Sequence, residues 1–168
     1  MKCPAFARLI FLVCAVLSFA FAADLPKLKK AVTTTRDSVH WEDYTAALSA
    51  AQKDQKMIFV DIVADWCIPC REMEKTTYRD KQVVETLNKR FHPVRLNQAA
   101  EDTIQCDTKR LPVNRCFFNV WNLQAVPSYV LIAPKGLSIL TYSNGLDADQ
   151  MNMLLMQFLS KEKEWLAQ

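Results

Sequence analysis

The 168-residue chain predicts an α/β fold, a mixed central β-sheet flanked by helices, on three observations. Met57 to Val63 is an apolar run broken only by Asp61, the pattern of a strand covered on both faces and so of a parallel or mixed sheet. Stretches of helical periodicity lie before and after it. Two later β-rich runs are joined by Pro134-Lys135-Gly136, a hairpin signal that adds antiparallel pairing.

Residues 1–22 read as an export signal: Lys2 and Arg8 precede an apolar stretch, and Ala20-Phe21-Ala22 matches the small-x-small pattern of a signal peptidase site. The apolar run, about 14 residues, falls short of the ~20 that a membrane-spanning helix needs, which favours cleavage near Ala22 over a retained anchor. Val13 before Cys14 is too bulky for a lipidation signal. Residues 23–38 are polar, carry Pro26 and read as a tether, and 39–168 as one domain. Within it, Asp43 to Gln55 has alanines and a leucine at helical spacing, with Trp41 and Tyr44 near its start. After the Met57–Val63 strand, Pro69 to Arg90 reads as one long helix and Phe91 to Leu96 as the next strand. An irregular polar section carrying Cys106 and Cys116 leads to a short helix over Phe117–Leu123, then to strands at Ser128–Ala133 and Leu137–Ser143. The last helix opens at Asp147 with Gln150 three residues on, a capping box. Its apolar stripe runs Met151, Leu154, Leu155, Phe158, Leu159, and methionine there reads as core packing. No internal repeat or second domain is visible.

Composition excludes several classes of function. Without residues 1–22 the chain keeps 19 basic against 18 acidic residues, so no strong field favours nucleic acid. Lys27, Lys29 and Lys30 form the one dense basic cluster, in the tether, where it reads as a solvated segment. With only Gly136 and Gly145, no phosphate-cradling loop can form. His40 and His92 lack metal-ligand spacing. His92, at a strand start, reads as a hydrogen-bonded structural residue, and nothing places it beside a cysteine as a protease base.

The chemistry lies in Trp66-Cys67-Ile68-Pro69-Cys70. Residues three apart on a helical turn lie roughly 5 to 6 Å apart at Cβ, close enough for a disulfide to open and close with little backbone movement. Cys67 would sit at the helix start, where free N–H groups and the helix dipole favour a thiolate, and so reads as the nucleophile. Cys70, one turn further in, would be more shielded and resolve the mixed disulfide. Pro69 is tolerated because the first turn has no N–H bond to lose. Asp61, in apolar surroundings, should be buried with a raised pKa, fit to take a proton from the resolving cysteine. Without Cys3 and Cys14, an even set of four cysteines remains, as suits an oxidising compartment. Cys106 and Cys116 bracket a turn-rich stretch and read as a structural disulfide in preference to a second redox pair. Zinc held by all four cysteines does not match the usual spacing.

The segment Val60-Asp61 through Trp66-Cys67-Ile68-Pro69-Cys70 resembles the active-site segment of the thioredoxin superfamily, with an acid six residues before the first cysteine. Ala64-Asp65-Trp66-Cys67 continuing through Arg71-Glu72-Met73-Glu74-Lys75 is most similar to the C-terminal periplasmic domain of DsbD-type thiol:disulfide interchange proteins. The resemblance implies a thioredoxin fold over roughly Trp41 to Leu159, and a second acid one turn past the resolving cysteine, here Glu74. Ala125-Val126-Pro127-Ser128 is similar to the loop that faces the disulfide in this family. By that likeness Pro127 is cis, the Val126 backbone pairs with an extended substrate, and Trp66 belongs to the substrate-facing motif. Departures are Ile68-Pro69 between the cysteines, Ser128 for the usual threonine, and the section holding Cys106 and Cys116.

The expectation is therefore an exported or periplasmic thiol–disulfide oxidoreductase acting on protein thiols and disulfides. It would need no bound cofactor and no metal, since the electrons reside on the cysteines. By the resemblance it is a reductase or isomerase with a membrane thiol reductant upstream. The rivals are an oxidant that introduces disulfides and, from another class, a copper-handling module, for which Met73 is the one nearby extra ligand.

Overall fold

The computed structural model describes residues 38–166. The signal assigned to residues 1–22 and, Ser38 apart, the tether lie outside them. Helix α1 is Tyr44–Asp54, started by the Asp43 carboxylate, which accepts the Ala46 N–H at 2.9 Å, and ended by Gln55 in left-handed conformation at φ 63°. It buries Tyr44, Ala47, Leu48 and Ala51, one helical face. Strand β1, Met57–Val63, follows as expected and is buried from Met57 through Ile62.

The single helix expected over Pro69–Arg90 is two. Helix α2 is Ile68–Lys75, a 3₁₀ turn covers Thr77–Arg79, and α3 is Lys81–Arg90. Thr76 and Thr77 cause the break. The Thr76 backbone leaves helical geometry at φ −120° while its N–H and hydroxyl close on the Glu72 carbonyl, and the Thr77 hydroxyl donates to the Leu146 carbonyl at 2.6 Å, a partner outside the helix. Asp80 then restarts the helix, its Oδ1 accepting the N–H groups of Gln82 and Val83.

Strand β2 is Phe91–Asn97. The section expected to be irregular is instead a hairpin, β3 (Thr103–Cys106) against β4 (Lys109–Pro112), followed by α4 (Val113–Asn119), which starts and ends four residues before the expected helix. The hairpin escapes a sequence reading because no glycine marks its turn: Asp107 takes the left-handed conformation at φ 52°. Strands β5 (Ser128–Ile132) and β6 (Ser138–Ser143) are joined through Gly136 at φ 90°, where an added Cβ would meet Leu48 at 3.3 Å. Helix α5 is Ala148–Ser160, with both arms of the capping box in place: Asp147 Oδ1 accepts from the Gln150 N–H at 2.9 Å, and Gln150 Oε1 from the Asp147 N–H at 3.0 Å. The buried stripe is Met151, Leu154, Leu155 and Phe158, while Met153 and Met156 lie off it and are exposed. A short α6, Glu162–Leu166, was not anticipated.

The sheet runs β2-β1-β5-β6, with β1 parallel to β2 and the other pairs antiparallel, the mixed sheet expected. Alternation along β1 divides the core. Ile58, Val60 and Ile62 pack with α1, the hairpin and α4, whereas Met57 and Phe59 pack with α2, α3 and α5. Asp61 shares the second side by the same alternation. His92 is hydrogen-bonded, as expected, its Nδ1 at 2.9 Å from Glu42 and its Nε2 at 3.1 Å from Asp54.

A Cys106–Cys116 disulfide, with 5.9 Å between Cα atoms, ties β3 to α4, and both residues are fully buried. Replacing both with alanine is expected to destabilise the oxidised protein by about 2 to 3 kcal/mol, the loop-closure value for so short a span, and to leave thiol exchange at Cys67 unchanged. Urea denaturation and insulin turbidity check the two halves of that statement.

Candidate redox site

The fold places the end of β1 beside the start of α2. The Ala64 carbonyl accepts the Cys67 N–H at 3.0 Å, turning the chain, and Cys67 then becomes the N-cap of α2. Its sulfur accepts the Cys70 N–H at 3.2 Å. Pro69 occupies the first turn, where no helical bond is lost. Cys67 and Cys70 form a disulfide with 5.4 Å between Cα atoms. The amide that now meets the bonded sulfur would meet a thiolate once the disulfide is open, which favours the charged form.

Exposure runs opposite to the sequence expectation. Cys67 is 1% exposed and Cys70 9% in this disulfide form. Cys67 lies in a small apolar cluster with Ala64 and Cys70, against which Val63 and Val126 pack, so the N-terminal position on the helix does not by itself leave the residue open. Its chain neighbours stand outward, Trp66 at 67% and Ile68 at 65%. The Val126–Pro127 peptide is cis, as the resemblance implied, and Val126 reaches the cysteine cluster. Ser128 is buried and its hydroxyl pairs with that of Ser143 at 2.6 Å.

Asp61 is 1% exposed. Burial pushes its pKa up to about 6, with the neighbouring Arg95 guanidinium pulling the other way. Arg95 is the functional neighbour that sequence reasoning missed. It sits directly opposite Asp61 in the parallel β1/β2 register, donates from Nε to Asp61 Oδ2 at 2.9 Å, and donates from Nη1 to Glu74. The Tyr78 hydroxyl is close enough to Asp61 to affect its acidity but does not reach hydrogen-bonding geometry with it. The guanidinium lies over the rings of Trp41, at 4.1 Å, and Tyr78, at 4.9 Å. One cation thus holds both acids expected at the site. A signal was present: each of the two strands carries a charge at its fifth residue, Asp61 and Arg95, of opposite sign.

Glu74, with a side chain 42% exposed, also faces Arg79 at 3.8 Å. It shares with Cys70, Arg95 and Arg71 the wall of an open cleft of about 360 Å³ floored by Val63 and Ala64. Asp61 does not line this cleft, so the structure brings Cys70 and Glu74 to one opening and sets Asp61 apart from it. Among the described residues no group of three His, Cys, Asp or Glu is arranged to hold a metal ion.

Replacing Arg95 with leucine leaves the buried Asp61 carboxylate without its cation. At pH 8 the variant is expected to lose about 3 kcal/mol against urea, and the loss should shrink on acidification as Asp61 takes a proton. An equal loss at pH 5 and pH 8 would assign the effect to packing on Trp41 and Tyr78.

Comparison with known proteins agrees with this geometry. The chain is 45% identical over 47 residues, 28% of its length, to the thiol:disulfide interchange protein DsbD of Pseudoalteromonas atlantica, of which those residues cover 8%. Its fold superposes on a thioredoxin from Thermus thermophilus with a TM-score of 0.60 at 20% identity, covering 74% of this chain and 90% of that one. It also superposes on the oxidised C-terminal domain of DsbD from Neisseria meningitidis with a TM-score of 0.53 at 20% identity, covering 67% and 90%. The profile of the family described as Thioredoxin-like matches residues 40–134, from just before α1 to the end of β5 and through both cysteines and the cis-proline, and the chain belongs to that family.

Proposed function

We propose that the protein is an exported thiol–disulfide oxidoreductase, a reductase or isomerase of protein disulfides working through Cys67 and Cys70. The observation that carries this reading is the disulfide at the start of α2, with the Cys67 sulfur on the Cys70 N–H and an apolar rim of Trp66, Ile68 and Val126 beside it. In the reduced protein the Cys67 thiolate, held by that amide and the helix dipole, attacks a substrate sulfur. Cys70 then attacks Cys67 Sγ in the mixed disulfide, restoring the internal bond and releasing the substrate thiol. Asp61, half-ionised near pH 6, and Glu74 at the cleft beside Cys70 would manage the proton that Cys70 gives up. The Val126 backbone, before cis Pro127 and the start of β5, would offer hydrogen bonds to a substrate strand. The likeness to DsbD, of which the chain spans about a tenth in the curated relatives it matches, supports a membrane thiol reductant as electron donor and a periplasmic setting.

An oxidant would share this geometry, and potential separates the two. Equilibration in thiol buffers should place the Cys67–Cys70 couple near the thioredoxin value of about −270 mV, whereas a value near −120 mV would assign the oxidant role. The copper reading loses its extra ligand: Met73 is buried, with its sulfur accepting from the Tyr129 hydroxyl at 3.3 Å and the Leu146 N–H at 3.4 Å.

A further inference from the structure

We propose that the outer edge of β6, with the adjoining face of α5, pairs antiparallel with the same edge of a second copy of this chain, joining two sheets across a two-fold axis. The inference is independent of the redox reading above. The two edges of the sheet differ. The β2 edge carries Pro93 and is covered by the main chain at Glu42, which bridges to Val94 and donates its N–H to the Pro93 carbonyl at 2.8 Å. The β6 edge, Ser138–Ser143, has no proline and no charge, and among the described residues no strand lies beyond it. Its one irregularity falls at the Ser138 end, between the pairs Leu131–Leu140 and Ile132–Ser138, where Asp107 also takes the Ser138 N–H at 2.7 Å. Leu140 to Ser143 is left as a regular, uncharged stretch, the form of edge that accepts another strand.

The surface beside this edge points to a second copy as the occupant. Helix α5 turns back from β6 over residues 144–147, and helix and strand are matched in length at roughly 20 Å each, so their midpoints lie side by side. Tyr142 of β6 and Leu146, Met153 and Leu154 line an open cleft of about 260 Å³ between them. Seven large apolar side chains are exposed among the described residues; Trp66 and Ile68 belong to the redox rim, and Tyr142, Met153 and Met156 gather here. From Gln150 to Ser160 the helix carries no charge, although 23% of the chain is charged. A surface helix ordinarily keeps charge on its outer face, and one without it suits an apolar cover. Near a two-fold axis each charge would meet its own sign, so an uncharged centre is what self-pairing requires. Charge returns at the ends of α5. Asp147 and Asp149 make the start acidic, while past the end Arg90 holds Glu162 and Lys161 holds Glu164, leaving Lys163 over. Antiparallel placement sets each acidic end beside the basic end of the other copy. Because Ser143 lies against Ser128, next to cis Pro127, the two redox sites fall at opposite ends of the joined sheet and both stay open.

The test is sedimentation of the chain lacking residues 1–22 over a wide concentration range. A dimer half-formed at on the order of 10 µM is expected, as suits a contact at the small end of the specific range. Hydrogen exchange should show the amides of Leu140 to Ser143 protected well above that concentration and open well below it. Met153→Glu and Met153→Lys should each weaken association by about tenfold or more, and an equimolar mixture of the two should restore it, since opposite charges then meet across the axis. Met153 is 66% exposed, so neither change disturbs the core. A single-copy species at every concentration overturns the proposal. Protection of Leu140 to Ser143 in that species would make residues 23–37 of the same chain the occupant. A dimer that both variants leave intact lies on another face and overturns it equally.

Discussion

Cys67→Ser is expected to lower single-turnover insulin reduction by on the order of a thousandfold or more, since a hydroxyl is almost wholly protonated at neutral pH and serine cannot take part in a disulfide. Cys70→Ser should behave differently. It keeps the attacking sulfur, so it should form a mixed disulfide with substrate once and then stall, visible as a covalent complex on a non-reducing gel. The contrast separates attack from resolution. Equal trapping by both variants would show that the order of the two cysteines is wrong. A Cys67→Ser variant retaining parent activity would remove the chemistry proposed for this protein altogether.

The second large effect concerns Asp61 and has a definite sign. Its ordinary carboxyl pKa of 3.8 is raised by burial to about 6 in the folded chain. The folded state therefore binds the proton more tightly than the unfolded state, and stability must fall as pH rises between those two values. The loss is absent below pH 4, complete above about pH 6, and on the order of 3 kcal/mol for a shift of this size. Asp61→Asn has no such proton, so urea denaturation from pH 4 to pH 8 should show the decline in the parent and not in the variant. Asp54 acts in the opposite sense: although its partial burial opposes the shift, the Lys56 amide and His92 hold its pKa below the ordinary range. Because Asp54 is present in both proteins, the difference between the two curves reports Asp61. Curves that run parallel over this range would mean that Asp61 stays ionised in the folded state throughout.

What could be read from the residues and what could not divides along physical lines. Helix α1 and β1 were legible because each is a single unbroken period with its own punctuation, Asp43 and Gln55 at the ends of the helix and an apolar run in the strand. The capping box of α5 was legible because Asp147 and Gln150 satisfy each other within one turn. The break after α2 was not. It depends on the Thr77 hydroxyl finding the Leu146 carbonyl, 69 residues away, and no local pattern contains that partner. The β3–β4 hairpin was hidden by a turn built on Asp107 instead of glycine. At the site, the cysteines and Asp61 stand out because their residue types are unusual in their surroundings. Arg95 did not, since a lone arginine in a strand reads as an edge residue until the register sets it opposite Asp61. The burial of the two cysteines also lay beyond the sequence, since Val126, which packs against their cluster, comes from a distant loop.

The cross-strand meeting of Asp61 and Arg95 has a consequence for how the chain finds its shape. Parallel strands joined by long crossovers have no tight turn to lock their alignment. Here a slip of one residue in either strand would send one charge to the side occupied by α1 and leave the other without its counter-ion in an apolar layer, an error costing several kcal/mol. The opposite charges thus act as a proofreading mark, disfavouring misaligned pairings of the strand that leads into the cysteine helix.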